Sequence, residues 1–250
     1  MKKQPIQKAG HPPGSGSPIM RRIFRVIGAA VLLSAALVLC LRWLPPPTSA
    51  FILERQLQKF FSRERNRGLH YNWTAWESIS PHVFLAVMAS EDQKFLDHWG
   101  FDFESIAKAV RRNHRGRRLR GASTITQQVA KNLFLWSGKS YLRKGLEAYF
   151  TVLIELLWSK KRVLEVYVNI AEFGDGIYGV GAAAEKLLGR SSATHISRDE
   201  AALLAAVLPN PRLLKVRNPS PYVRGRSAWI KRQMVRLEVD IKPSGIRQRP

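Results

Sequence analysis

An uncharged apolar segment near the N-terminus constrains this chain more than any other feature. Residues 26–41 read VIGAAVLLSAALVLCL, sixteen residues without a charged side chain. Further apolar residues continue the run beyond the flanking Arg25 and Arg42. A helix crosses the hydrocarbon core of a bilayer with about 20 residues, and flanking arginines can reach the interface. We therefore expect one transmembrane helix over residues 21–44, with a cleaved signal peptide as the alternative.

Basic residues are concentrated on one side of this segment. Arg42 alone follows it closely, whereas six precede it: Lys2, Lys3, Lys8, Arg21, Arg22 and Arg25. Such a bias places the more basic side in the cytoplasm. We therefore expect a disordered cytoplasmic tail over residues 1–20, anchorage in the cytoplasmic (inner) membrane, and everything after Pro45 outside.

The charge balance predicts an anionic partner. Against 18 acidic residues the chain has 41 lysines and arginines, a net charge of +23. Nucleic acid, anionic lipid and a phosphorylated substrate all fit this charge. Six arginines lie in RRNHRGRRLRG, residues 111–121, and the expected topology places them outside the cell, which disfavours nucleic acid. Cys40 is the only cysteine, so no internal disulfide and no thiol-based metal site can form.

Beyond the membrane segment the hydrophobic pattern is mainly helical, with no convincing alternation of period two and no internal repeat. A linker and first helix over residues 45–60, which begins with the stiff Pro45–Pro47 stretch, leads to a globular domain over 61–240. Helices are predicted at 51–65, 81–97, 103–113, 124–135, 140–158, 160–171, 177–188, 197–208 and 222–238. The fold class is therefore mostly α.

Glu91 lies on an apolar helix face. In LAVMASEDQKFLDHWGFD, it follows the phase of Phe84, Val87 and Met88, and Phe95 continues it. A carboxylate against such a surface is partly desolvated, which raises its pKa and suits it to general acid or base chemistry. The alternative is a structural acid paired with an arginine from elsewhere. The pattern of this helix alone favours that alternative.

The segment GASTITQQVAKNLF, residues 121–134, combines a helix start with polar side chains. Thr124 and Gln127 match the capping box, as do Ser197 and Glu200 later in the chain. A helix N-terminus, the hydroxyls of Ser123 and Thr124, and Lys131 two turns further on could bind an anion or a sugar. An ordinary capped amphipathic helix is the alternative.

A second glutamate at the edge of apolar surface occurs in SYLRKGLEAYF, residues 140–150. Arg143 and Glu147 are four residues apart and can pair on one helix face, with Lys144 beside them. Taken alone, this is an ordinary salt bridge. Two such glutamates with cationic neighbours favour glycosyl chemistry, in which carboxylates move protons and cations hold a leaving group.

Five blocks in order resemble the peptidoglycan glycosyltransferases, glycosyltransferase family 51. EDQKFLDHWGFD is similar to the family's E-D-x-x-F-x-x-H-x-G-x-D motif, GASTITQQVAKNLF to G-G-S-T-I-T-Q-Q-x-x-K-N, and RKGLE to R-K-x-x-E. The stretches SKKRVLEVYVNIAEFGDGIYGVGAAA and AALLAAVLPNPRLL resemble the family's last two blocks. Ala122 departs from the usual second glycine, which we expect to alter loop flexibility without abolishing the chemistry. With the N-x-x-E-F-G-x-G-x-Y-G variant and no second domain after residue 240, we expect the monofunctional form rather than a bifunctional penicillin-binding protein.

The resemblance implies a lysozyme-like helical domain that polymerises lipid II outside the cytoplasmic membrane. By motif match, Glu91 is the general base on the acceptor 4-hydroxyl, and Glu147 assists at the diphosphate or positions the acceptor. Lys131, Arg143 and Lys144 stabilise the departing diphosphate. Sugar or phosphate would be bound by Ser123, Thr124, Gln127 and Gln128. The apolar LFLW segment, residues 133–136, would enter the bilayer.

The expected partners are lipid II, the growing glycan chain, the lipid bilayer and the cell wall synthesis machinery, with no nucleic acid. No cofactor is required by the sequence. The resemblance allows a divalent cation, Mg or Mn, with the diphosphate, although no His/Cys/carboxylate cluster specifies one. Two alternatives remain: a lytic transglycosylase or muramidase, and a non-catalytic membrane-anchored module that binds wall polymers.

Overall fold

The computed structural model describes residues 18–61, 68–107 and 123–241. Several predictions concern residues outside these ranges: most of the cytoplasmic tail, the arginine-rich segment 111–121, and Ala122. The later parts of the helices predicted at 51–65 and 103–113 lie outside them as well.

The first helix, α1, is the predicted membrane helix and runs over Pro18–Cys40. Its 23 residues make it about 35 Å long, enough to cross a bilayer. Among the described residues it is the one helix long and apolar enough to do so. Val38 is its only buried residue. At its C-terminal end the helix stops at Cys40, four residues before the predicted end at residue 44.

The rest of the described chain is mostly helical, as predicted. Helix α2 spans Ala50–Phe61, α3 Pro81–Glu91, α4 Ile125–Phe134, α5 Tyr141–Leu157, α6 Lys160–Ile170, α7 Val180–Leu188, α8 Arg198–Val207 and α9 Pro221–Ile241. Short 3₁₀ turns occur at Trp76–Ser78 and Ala193–His195, and residues 103–107 are helical. Both predicted capping boxes form, at Thr124 with Gln127 and at Ser197 with Glu200.

Helix α3 is shorter than predicted. It ends at Glu91, and the backbone of Asp92 leaves helical geometry with φ −158° and ψ 81°. Phe95 therefore lies in the following turn, although its side chain is still buried at 1% exposure. The helical pattern predicted correctly that Phe95 is buried, but Phe95 reaches the core from the turn after α3 and not from the helix itself. The chain turns here because the Asp92 carboxylate binds groups outside α3.

A small sheet was not predicted from the sequence. Strand β1 (His70–Tyr71) pairs in parallel with β3 (Ile177–Tyr178), and β3 pairs antiparallel with β2 (Glu172–Gly174). Strands of two or three residues are too short to show an alternating pattern. Because Ile177 and Tyr178 belong to β3, helix α7 begins at Val180 and not at residue 177.

Glycines around this sheet permit close backbone approach. Gly179 has φ +82°, and a Cβ there would lie 2.7 Å from the carbonyl oxygen of Asn169. A Cβ on Gly181 would clash with Oγ1 of Thr74. Larger residues at either position would therefore push the α7 start away from the 72–74 segment.

Helix α3 lies at the centre of the domain, packed against α8 and α9. Its buried residues include Val83, Phe84 and Val87, and Phe84 stacks on Trp76 at 3.8 Å between ring centroids. Helix α4 packs against both α5 and α6. The last turn of α3 and the polar face of α4 meet where Glu91 contacts Gln128, and this contact forms the candidate site.

Candidate active site

Glu91 is the last residue of α3, and its carboxylate contacts side chains from two other helices. Oε2 accepts a hydrogen bond from Nε2 of Gln128 on α4 at 3.0 Å. Oε1 lies 3.8 Å from Nη2 of Arg226 on α9, and only 14% of the Glu91 side chain is exposed. Burial raises the pKa of Glu91, while the Gln128 hydrogen bond and the positive charge of Arg226 partly offset that rise. The result is a desolvated carboxylate whose basicity is higher than that of an exposed one.

Gln128 is itself held in place. Its Oε1 accepts a hydrogen bond from the hydroxyl of Tyr167 at 3.2 Å, and Tyr167 is 2% exposed. Burial raises the pKa of Tyr167 well above the usual value, so this phenol stays a donor. With the Gln128 oxygen occupied, its amide nitrogen must point at Glu91. The chain Tyr167, Gln128, Glu91 thus fixes the orientation of the carboxylate.

A cavity of about 280 Å³ opens beside Glu91. Its described wall comes from the 89–94 segment, Asp102, Ser105, Ser123 and Thr124. Polar and apolar atoms both line it, and Glu91 contributes to its surface. A polar group of a bound ligand could therefore reach the carboxylate from this side.

The start of α4 is built by buried polar contacts. Oδ2 of Asp92 accepts the backbone N–H of Ile125 at 3.1 Å, while both Asp92 oxygens lie within 3.1 Å of Nε2 of His98. The Thr124 hydroxyl donates to the carbonyl of Gly100 at 2.6 Å and accepts from the backbone of Gln127. These contacts fix the N-terminus of α4 next to Glu91, where the helix dipole favours negative charge.

A cationic cluster surrounds the second glutamate. Glu147, 2% exposed, accepts hydrogen bonds from Nη1 of Arg143 at 2.8 Å and from Nζ of Lys144 at 2.5 Å. Lys131, one turn after Gln128 on α4, is affected by the charges of both Glu147 and Glu91. Burial lowers the pKa of Lys131, with Arg143 and Lys144 adding to that effect and the two carboxylates opposing it. Three cations and one carboxylate give this cluster an excess positive charge beside the Glu91 cavity.

Comparison with known proteins identifies the class of protein that carries this arrangement. The sequence model of a family described as Transglycosylase matches residues 55–235. The chain belongs to this transglycosylase family. It is 52% identical over 221 residues to the biosynthetic peptidoglycan transglycosylase of Pseudomonas entomophila (strain L48), covering 88% of this chain and 93% of that protein. The protein of the same name from Pseudomonas putida (strain W619) is 53% identical over 221 residues, which cover 88% of this chain and 93% of that protein. The one from Xylella fastidiosa (strain M23) is 51% identical over 217 residues, which cover 87% of this chain and 89% of that protein.

Within this transglycosylase fold, most of the residues predicted from the sequence meet in one place. Glu91 and Gln128 are in contact, and Ser123 lines the cavity next to Glu91. The charges of both glutamates act on Lys131, and Arg143 and Lys144 form salt bridges with Glu147. The salt bridge predicted between Arg143 and Glu147 is confirmed.

Two predicted binding residues have another use in the structure. Thr124 and Gln127 are 3% and 4% exposed, and they satisfy each other's backbone N–H groups in the capping box. The Thr124 hydroxyl also binds Gly100. Both side chains therefore build the start of α4, Thr124 also lines the cavity beside Glu91, and their role in substrate binding stays a prediction.

The LFLW prediction is wrong for half of its residues. Leu133 and Leu135 are 7% and 3% exposed, so they belong to the protein core. Phe134 is half-buried, and Trp136, at 44% exposure, is the most exposed member of the segment. The error arose because a short apolar run has the same composition in a core helix as at a membrane surface.

Sequence reasoning missed Arg226 and Tyr167. Arg226 lies more than a hundred residues after Glu91, on a helix with many basic residues, so no local spacing connects the two. Asp92, 7% exposed, was not singled out either, although it binds His98 and the backbone of Ile125. A buried tyrosine on α6 carries no signal that distinguishes it from a core aromatic.

The described residues do not assemble a site that fits a protein-held metal ion. In the ranges 18–61, 68–107 and 123–241, no group of three or more His, Cys, Asp and Glu side chains comes together. Glu147 already binds two cations, and Asp92 binds His98 and Ile125. These described carboxylates are therefore already paired, and the predicted divalent cation would act together with a substrate diphosphate.

Proposed function

We propose that this protein polymerises lipid II into glycan strands for cell wall synthesis. The observation that carries the proposal is the Glu91 carboxylate, which is buried, has a raised pKa, is oriented by Gln128 and faces a cavity. Membership of the transglycosylase family supports it, as do the names of relatives that are about half identical over most of their length. The donor is the growing chain on undecaprenyl diphosphate, and the acceptor is a new lipid II.

In the proposed reaction, Glu91 takes the proton from the 4-hydroxyl of the acceptor sugar. As that proton leaves, the 4-hydroxyl oxygen attacks the anomeric carbon of the donor from the face opposite the diphosphate, which gives inversion. The new C–O bond forms as the bond to the diphosphate breaks, and the diphosphate leaves with the electron pair. A general base positioned in this way contributes roughly 10²–10⁴ in rate.

The cluster around Glu147 suits the departing diphosphate. Lys131, Arg143 and Lys144 can share its negative charge, and the low exposure of Arg143 and the burial of Lys131 strengthen that interaction. Glu147 holds Arg143 and Lys144 in fixed positions before substrate arrives. Ser123 lines the cavity and Gln128 contacts the Glu91 carboxylate, so both are near the place where sugar hydroxyl and amide groups would bind.

Three features of α1 support anchorage in the cytoplasmic (inner) membrane with the domain on the outer side. The helix is long enough, its side chains are exposed, and the basic residues precede its uncharged segment at 26–41. Protease protection in spheroplasts tests this topology. Digestion of the domain from outside is expected, and digestion only after lysis would contradict it.

Incubation with labelled lipid II, followed by a gel of the products, tests the function. Glycan strands are expected. Release of soluble muropeptides from purified sacculi, without polymer from lipid II, would favour a lytic transglycosylase or muramidase instead. Salt-sensitive binding of polyanions with no reaction in either assay would favour a non-catalytic wall-polymer module. The cationic cluster disfavours the lytic enzyme, which has no diphosphate to stabilise.

A further inference from the structure

The end of the membrane helix is bound by an arginine of the globular domain. The last carbonyls of a helix lack intrahelical partners, and burial without partners is unfavourable. Here Nε and Nη2 of Arg162, on α6, donate to the carbonyl of Leu41 at 3.1 and 2.9 Å. Nη2 also donates to the carbonyl of Leu44 at 2.6 Å. One guanidinium therefore caps α1 and the turn that follows it, where a cation also complements the helix dipole.

Arg162 is fixed on its other sides as well. The residue is 8% exposed, and Nη1 donates to Oε2 of Glu165 at 2.6 Å. Its guanidinium lies 5.1 Å from the ring centroid of Trp73 and 5.9 Å from that of Trp158. A guanidinium held by an anion and two aromatic rings has little freedom to move. The cap on α1 is therefore rigidly attached to the domain.

Two further contacts join α1 to α5 and its end. Nε1 of Trp158 donates to the carbonyl of Val38 at 2.7 Å. One turn earlier, the hydroxyl of Ser34 lies 2.8 Å from that of Tyr149. The backbone N–H of Arg42 bonds to Leu39 and not to Val38, so Trp158 satisfies a carbonyl that the helix itself leaves free.

The linker after α1 is also docked onto the domain. The hydroxyl of Tyr71 donates to the carbonyl of Pro46 at 2.7 Å, and Ser49 is 1% exposed. An extended proline spacer that merely separates anchor and domain would make no such contacts. The connection is thus too well bonded to act as a flexible tether.

We infer that Arg162 is a positioning residue that joins the membrane helix and the catalytic domain into one rigid body and so fixes the height of the Glu91 cleft above the bilayer. This inference rests on the proposed function, because it matters only if the substrate is held in the membrane. The diphosphate of a membrane-held substrate lies at the bilayer surface. A cleft already held at that height meets it without losing further orientational freedom.

The first test compares activity in two settings. We expect Arg162→Met to polymerise lipid II in detergent micelles, where substrate and cleft can adjust to each other. In proteoliposomes the rate of Arg162→Met should fall roughly tenfold or more relative to its detergent rate. The ratio of the two rates for Arg162→Lys should lie between those of Arg162→Met and the unsubstituted protein. Arg190→Met is the matched control, because it removes an exposed arginine far from α1. An unchanged ratio of the two rates in Arg162→Met would overturn the inference.

A distance measurement tests the rigid connection without any activity. Cys40 is the only cysteine in the chain, is exposed and ends α1, so it accepts a spin label directly. The second label goes on Ser191→Cys, at an exposed position of the domain. We expect a narrow distance distribution in the unsubstituted protein and a broader one in Arg162→Met. Equally narrow distributions in both proteins would refute the rigid connection through Arg162 (the clamp), even if the variant lost all activity.

The two tests separate this inference from the proposed function. If the unsubstituted protein made no polymer from lipid II in either setting, the proposed function would fail, and the distance measurement would still decide the clamp. If it polymerised lipid II but the distances and the ratio of rates did not respond to Arg162→Met, the clamp alone would fail.

Discussion

The side-chain amide of Gln128 donates a 3.0 Å hydrogen bond to the carboxylate of Glu91. Because Tyr167 occupies the oxygen of the same amide, Gln128 cannot flip and present an acceptor. The Gln128 hydrogen bond therefore favours the ionised form of Glu91, while burial of the carboxylate raises its pKa and opposes ionisation. Substitutions at this contact, and at its counterpart around Glu147, should change both activity and stability.

Gln128→Ala should shift the pH dependence of the reaction. The hydrogen bond lowers the pKa of Glu91, so its loss raises that pKa. The base must be deprotonated to act, so the acidic limb of the kcat/KM profile should move to higher pH. Profiles of Gln128→Ala and of the control Gln56→Ala, an exposed position on α2, check this with labelled lipid II. A loss of rate with no shift of the acidic limb would speak against the contact.

Arg226→Met should move the same limb in the same direction. The Arg226 charge, 3.8 Å from Glu91, also lowers the pKa of that carboxyl. Arg226→Lys should restore much of the profile, since a positive charge remains. Arg232→Met, an exposed change on the same helix, is the control. Arg226 would have no electrostatic role if the Met and Lys variants gave the same profile.

Removal of the Glu91 charge should stabilise the fold at neutral pH. The folded-state pKa of Glu91 lies above its ordinary value, so ionisation on raising the pH costs folding free energy. A tenfold difference in proton affinity between the folded and unfolded states corresponds to about 1.4 kcal/mol. Thermal unfolding in detergent should thus show a higher Tm for Glu91→Gln at about pH 7 and little difference at about pH 4. A lower Tm for the variant at neutral pH would contradict the desolvation of Glu91.

Glu147→Gln should have the opposite effect on stability. Glu147 is buried and pairs with Arg143, whose side chain is only 12% exposed. Removal of one partner of a buried pair leaves the other charge uncompensated, which costs about 3–5 kcal/mol. The Tm of Glu147→Gln should therefore fall, and Glu185→Gln, a change at an exposed pair with Lys186, provides the control. Equal Tm values for the two variants would mean that Glu147 is not a structural partner of Arg143.

The sequence was sufficient to predict features encoded by local spacing. The membrane helix, both capping boxes and the pair of Arg143 with Glu147 depend on residues within a few turns of each other. The end of α3 could not be predicted, because the turn at Asp92 depends on the N-terminus of α4.

Contacts between distant segments account for the other differences. Arg226 reaches Glu91 only because α9 packs on α3, and no motif records that packing. Thr124 and Gln127 were predicted both as a capping box and as ligands. The structure shows that the cap uses the groups that a ligand would need.

The most direct measurement of the central claim is the rate at which Glu91→Gln polymerises labelled lipid II in detergent, alongside the unsubstituted protein. Gln preserves the size of the side chain and cannot accept the proton. We predict a folded variant whose rate is lower by roughly 10²–10⁴, the contribution of a positioned general base. Near-normal polymerisation by Glu91→Gln would contradict the assignment of Glu91 as the base.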